Sequence, residues 1–173
     1  MARSAPAPVA GGVAFTSTTA GNHFTCGLDA GGTAYCWGNN ANGQLGDGTT
    51  IDRLVPTHVA GALKFKWISG ELWHTCAAAT AAYADAVYCW GQNDRRQLGA
   101  PSSGSCASSP CSTTPILLVM NGKRFKATAA GGMHSCALNF ADRVWCWGEN
   151  ASGQLGDSSN TSRPTPVKVK TTL

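Results

Sequence analysis

The chain has 173 residues and a formal charge of +4, from 13 Lys+Arg against 9 Asp+Glu, with only 13% charged residues; that is about half the share in an average soluble domain and excludes a polyelectrolyte tail. No apolar run approaches the ~20 residues of a membrane-crossing helix, and the longest aliphatic run, Ile116 to Met120, is strand-sized. Glycine supplies 21 residues, and 8 cysteines and 6 tryptophans must fill an interior short of aliphatic side chains, so turns and cross-links carry much of the architecture.

Residues 1–14 read as a flexible lead without the apolar core of a secretion signal. The first unit, 15–64, predicts a hairpin between Cys26 and Cys36 around the turn Asp29-Ala30-Gly31-Gly32. Gly38 ends its outgoing strand, the loop N-x-x-G-Q-L-G runs from Asn40 to Gly46, and Pro56 marks a strand start or an edge. The second unit, 65–124, predicts a hairpin between Cys76 and Cys89, with the Ala-rich stretch Ala77 to Ala86 read as an insertion in its turn. Its loop places Arg96 where the first unit has Gly43, and an irregular inserted loop, 100–115, holds Cys106 and Cys111. The third unit, 125–173, alternates His134, Cys136 and Leu138 on one strand face, turns at Asn139 to Asp142, and returns through Cys146 to Gly148 and a loop ending in Gly153-Gln154-Leu155-Gly156.

These units are copies, with equivalent cysteines 50 to 60 residues apart. The repeat pairs Cys26 with Cys36, Cys76 with Cys89 and Cys136 with Cys146, because residues opposed across a hairpin have Cβ atoms within ~5.5 Å; Cys106 and Cys111 form a local fourth pair. Disulfides or buried thiols fit better than zinc. His74 and His134 each stand two residues before a cysteine, where they share a face without converging on a metal, and the C-x-x-C knuckle is missing. Oxidised pairs would imply an oxidising compartment, hence an extracellular or cell-surface protein whose start is truncated.

Lys and Arg are scattered in short groups beside turns, the pattern of solvated strand edges rather than of a nucleic-acid footprint. No paired carboxylates or nucleophile elbow stand out. Asp47 and Asp157 recur after G-Q-L-G as turn residues, and the repetition of His74 and His134 marks packing and hydrogen bonding rather than catalysis. The expectation is a non-enzymatic chain without a cofactor or metal.

The pattern H-[TS]-C-A…[YW]-C-W-G-x-N-x-x-G-Q-L-G, as in His134 to Leu138 and Trp145 to Gly156, resembles the repeats of the regulator of chromosome condensation family over about Phe15 to Val169. The Cys-bearing form resembles the bacterial, often cell-surface or secreted, branch. The resemblance implies an all-β fold: three repeats of four-stranded antiparallel blades, an open arc or fragment of a seven-bladed β-propeller. It also implies a protein-binding scaffold from a larger extracytoplasmic protein, with self-association through open blade edges as a further expectation. The alternatives are a targeting or regulatory module of a multidomain enzyme, or a guanine-nucleotide exchange factor for a small GTPase. Trp37, Trp90 and Trp147, one per repeat, are read as packing between blades. Trp73, Arg95, Arg96 and the 100–115 loop break the repeat and are the candidate partner-binding elements.

Overall fold

The computed structural model describes residue 5 and residues 7–170. The first sheet contains β1 (Phe15–Ala20), β2 (Phe24–Asp29), β3 (Ala34–Gly38) and β4 (Arg53–His58), antiparallel and in that order. The β2–β3 turn is closed by the Asp29 carboxylate, which accepts the Gly31 and Thr33 N–H groups at 2.8 Å each, a local backbone mimic that explains aspartate at this point.

The middle sheet contains β5 (Phe65–Glu71), β6 (His74–Ala79), β7 (Val87–Gln92), β8 (Gly104–Cys106) and β9 (Ser109–Leu118), in the order β5-β6-β7-β9-β8. Two expectations change here. Ala77, Ala78 and Ala79 belong to β6, and only the segment from Thr80 to Ala86 forms the turn, with a single 3-10 turn at Ala81–Tyr83. All six β6 residues are buried; a strand covered on both faces needs no polar alternation, and small alanines fit the narrow gap between sheets. The 100–115 segment is also not irregular: residues 104–118 form a hairpin that supplies the outer strand and adds a fifth.

The third sheet, β10 (Phe125–Ala130), β11 (His134–Asn139), β12 (Val144–Gly148) and β13 (Arg163–Lys168), repeats the register of the first. Asn139 replaces Asp29 at the turn, accepting N–H bonds from Ala141 and Arg143. No helix among the described residues is long and apolar enough to cross a membrane.

In each sheet the central hairpin sets two cysteines directly opposite, with Cα atoms 4.1 Å apart, and joins Cys26 to Cys36, Cys76 to Cys89 and Cys136 to Cys146. This is the closely spaced kind of antiparallel pair. The fourth bond, Cys106 to Cys111, clips the β8–β9 hairpin.

The core lies between sheets rather than within any one. Between the first and second, Phe24, Leu28, Leu45 and the Cys26–Cys36 bridge meet Phe65, Ile68, Ala77 and Trp90. Between the second and third, Val87, Leu98, Leu118 and Cys89 meet Phe125, Ala137 and Trp147. Trp90 and Trp147 are fully buried, and their indole N–H groups donate to the Gln44 and Gln97 carbonyls of the preceding sheet, at 2.9 and 2.8 Å. Only glycine fits beside them: a Cβ on Gly46 or Gly99 would lie 2.7 Å from the indole ring. Thus the C-W-G tryptophan of one repeat and the Q-L-G loop of the previous one are two halves of a single joint.

Candidate functional site

The loops define one end of the sheets. N-x-x-G-Q-L-G is held open by its own side chains: the buried Asn40, Asn93 and Asn150 carbonyl oxygens accept the Leu45, Leu98 and Leu155 N–H groups at 3.0, 3.0 and 2.9 Å. In the first and third sheets an ion pair then ties the loop to the outer strand, Asp47 with Arg53 at 2.6 Å and Asp157 with Arg163 at 2.8 Å. Burial would raise the Asp47 carboxyl, but hydrogen bonds from Thr49 and Arg53 bring it below its ordinary value. The Ser159 hydroxyl, followed by Arg163, holds Asp157 down to about 2. Both aspartates lock turns, each held by a hydroxyl of its own loop and by an arginine of the outer strand.

The middle sheet departs from this scheme. It has no Asp–Arg lock after Gly99, and the clipped β8–β9 hairpin stands in its place. Arg96 occupies the left-handed region at φ 65°, where Gly43 and Gly153 lie at 75° and 76°, a conformation that costs a non-glycine residue on the order of 1 kcal/mol or more. Arg95 and Arg96 are exposed, and the Arg95 guanidinium makes a 3.8 Å contact with Asp94. Trp73 sits half-buried at the β5–β6 turn, its carbonyl accepting the Gln92 N–H at 2.9 Å. Since Gln92 ends β7 and leads into the arginine loop, Trp73, Arg95, Arg96 and the inserted hairpin share this loop end. A cleft of about 290 Å³ opens there between Arg96, Pro101, Ser102 and Pro110.

The opposite, turn end reveals what residue order conceals. The reading of scattered cations is corrected: strand registers bring Lys64, Lys66, Lys123, Arg124, Lys126, Arg143 and Lys168 to this one end, against Asp29, Asp85 and Asp142. Buried Asp85, carried by the Thr80 to Ala86 turn, pairs with Lys66 and with Arg124 of the next repeat, and its carbonyl accepts the Phe125 N–H at 2.9 Å. The Lys66 hydrogen bond, ahead of that from Arg124, keeps its carboxyl below the ordinary value despite burial. Exposed Phe140 lies under the Lys66 ammonium at 4.6 Å and the Arg124 guanidinium at 5.5 Å. The turn insertion therefore acts as a bridge between sheets. Nothing local in the sequence showed that Asp85 would face both cations.

His74 and Ser135 come within 2.8 Å, the geometry of a base beside a hydroxyl nucleophile. The surroundings give it another role. Ser135 donates its proton to the Gln97 carbonyl at 2.9 Å, so His74 Nε2 must be the donor toward Ser135 Oγ, and both side chains are fully buried. Burial, reinforced by the His134 charge, pushes His74 down to about 3. The pair is a neutral cross-sheet bond with no access for substrate. Among the described residues no three His, Cys, Asp or Glu side chains converge as a metal site would require.

Comparison with known proteins agrees with this architecture. The model of the regulator of chromosome condensation (RCC1) repeat matches residues 31–78, 85–138 and 141–173, and a second model of the same repeat matches 15–44 and 125–154. The chain is similar to the Ultraviolet-B receptor UVR8 of Arabidopsis thaliana, 31% identical over 157 residues, covering 88% of this chain and 33% of that receptor. In fold it is similar to human WBSCR16, with a TM-score of 0.79 and 21% identity over 91% of this chain and 38% of the other. It is likewise similar to Prp20p of Saccharomyces cerevisiae, described for its binding to Gsp1p and histones, with a TM-score of 0.74 and 19% identity over 91% and 39%. The chain thus spans about a third of the length of these proteins.

Proposed function

The chain belongs to the regulator of chromosome condensation repeat family, and from that premise we propose that it is a non-enzymatic protein-binding scaffold of β-propeller blades, contacting its partner through the loop end of the middle repeat. The observation that carries this reading is that four departures from the repeat meet at one place: strained Arg96, exposed Arg95, half-buried Trp73 and a disulfide-clipped hairpin where the other repeats have an Asp–Arg lock. A repeated frame carrying one exposed, non-repeating loop set is how rigid scaffolds present contact residues. Aromatic and arginine side chains are also the types that dominate protein interfaces. Protein binding by Prp20p, as its description states, lends support by likeness of fold.

Arg96→Gly separates strain from contact. It should raise stability by about 1 kcal/mol, since glycine accepts the left-handed conformation without a Cβ clash, while weakening retention of protein partners on the immobilised chain. Unfolding midpoints and affinity capture from the source organism's surface fraction read the two effects. A variant that is more stable yet retains the same proteins with equal strength removes Arg96 from the contact surface, and a chain that retains only small molecules or glycans defeats the scaffold reading.

We also propose an extracytoplasmic location, supported by four cystine bridges, two of them in the cores between sheets. Mass spectrometry of native material, before and after reduction, should show eight cysteines as four bridges. Eight free thiols would sink the proposal.

A further inference from the structure

At the turn end the outer strand of the middle sheet departs from its counterparts. Leu117 lies opposite Tyr88, where the other sheets set His58 opposite Tyr35 and Lys168 opposite Trp145. Two residues on, Val119 stands where they have Ala60 and Lys170. Leu117 is 48% exposed and Val119 75%. Side chains this exposed gain little from folding, and where several gather they mark a contact surface.

They gather here. Leu117, Val119 and Met120, with Ala84 and Ala86 of the turn insertion, line a cleft of about 410 Å³ that Lys123 and Arg124 also border. Local geometry holds its walls. The Met120 carbonyl accepts the Lys123 N–H at 3.1 Å around Asn121 and Gly122, which lie at φ 48° and 74°; Asn-Gly is the pair that suits a tight turn of two left-handed residues. Asp85, between Ala84 and Ala86, is buried and paired with Arg124, which ties the insertion to the crossover between sheets. The cleft thus belongs to the joint between the middle and third sheets, with walls from Ala84, Ala86 and residues 117–124, and depends on no uncovered sheet face. The charge beside these walls is positive. Lys123 has no ion pair among the described residues, and its ammonium lies 4.8 Å from the Trp145 ring centroid. The Arg124 side chain is 61% exposed and engages Asp85 through Nε and Nη2, leaving Nη1 for a further acceptor.

We propose that this cleft is a second docking site of the scaffold, for a short segment of a partner protein that carries a large apolar side chain beside carboxylates. The apolar side chain enters among Leu117, Val119 and Met120, and the carboxylates pair with Lys123 and Arg124. Charge complementarity selects this occupant. Aliphatic walls exclude a carboxylate from the cleft itself while the cations favour one next to it, an apolar centre with a charged rim of the kind that peptide-binding surfaces use. Nucleic acid binds through rings on which bases stack, and these walls are aliphatic. The site rests on the protein-binding reading but lies at the end opposite Arg95 and Arg96, so the two surfaces can fail separately.

Selection of a displayed random-peptide library on the immobilised 173-residue chain should enrich sequences in which leucine, isoleucine or phenylalanine adjoins aspartate or glutamate. By fluorescence anisotropy the best such peptide should lose on the order of tenfold in affinity with Lys123→Glu and with Val119→Ser, the scale of one charged contact or one buried aliphatic side chain. Lys123→Arg, which keeps the charge, should bind as wild type does, and unfolding midpoints should stay unchanged in all three. Enriched peptides without carboxylates, or wild-type affinity in both Lys123→Glu and Val119→Ser, overturn the proposal. Tighter binding of a single-stranded oligonucleotide, lost in the same variants, overturns it equally by making the cleft a phosphate-directed surface. A selection that enriches nothing, beside partner capture that still depends on Arg96, strikes this site and leaves the loop-end reading standing.

Discussion

Replacing Trp147 with alanine is expected to cost about 3–5 kcal/mol of stability, the range for truncating a large buried aromatic side chain, and to uncouple the third sheet from the second. The side chain is fully buried, its ring rests on the backbone of Gly99, and its N–H donates to the Gln97 carbonyl. Truncation leaves a cavity between sheets and removes one of the two donors from that carbonyl. In a repeat array, stability is approximately a sum of intrinsic and neighbour-contact contributions, and here the cores are the contacts between neighbours. The variant should therefore unfold in two steps in urea, the first confined to residues of the third sheet by amide hydrogen exchange. A single transition with the wild-type midpoint would show that the joint is not where coupling resides.

The second large effect is a loss of stability in mild acid that traces to His74. In the unfolded chain its imidazole takes a proton below about pH 6.5; in the fold it does so only near 3. Between those values the unfolded state binds more protons, so stability falls as pH falls, by about 1.4 kcal/mol per pH unit where the difference is a full proton. The contribution is fully present above the unfolded value. His134 faces the same region and its own value is lowered, by burial against a smaller opposing influence of Glu149, so it adds to the slope in the same direction. His74→Phe isolates the first contribution, because the equivalent position of the first repeat is Phe24, 3% exposed and already compatible with this fold. Denaturant unfolding from pH 7 to 4 should show a distinctly flatter dependence in the variant. Equal slopes would place the proton uptake elsewhere.

Much of the fold was legible because its signals are local. Hairpin turns at Asp29 and Asn139, the opposed cysteines, the glycine after each tryptophan and the prolines of the outer strands lie within short stretches of chain. Gly91 shows why such a residue recurs: it lies at φ 99°, and a Cβ there would sit 2.5 Å from the Trp73 carbonyl. Ala77 to Ala79 misled because β6 is buried on both sides, which erases the alternation by which strands are recognised. The hairpin over residues 104–118 was hidden by its Ser- and Pro-rich composition, in which Cys106 and Cys111 marked a turn but not the strands around it.

For the candidate site, the residues that break the repeat could be named from the sequence, since a departure is visible wherever the pattern is. That Trp73 lies at the same end as Arg95 and Arg96, and that seven cations collect at the other, depends on strand registers. Likewise, the buried His74–Ser135 bond spans 61 residues and the Trp90–Gln44 bond spans 46. The sequence by itself determined the all-β repeat, its turns and which cysteines stand opposite, because each rests on backbone preferences and pairings inside one hairpin. Only the tertiary structure decided that the cores lie between repeats and that Asp85 of the second repeat joins cations of the second and third. Those properties arise from packing one sheet on the next, where residues distant in sequence share a boundary.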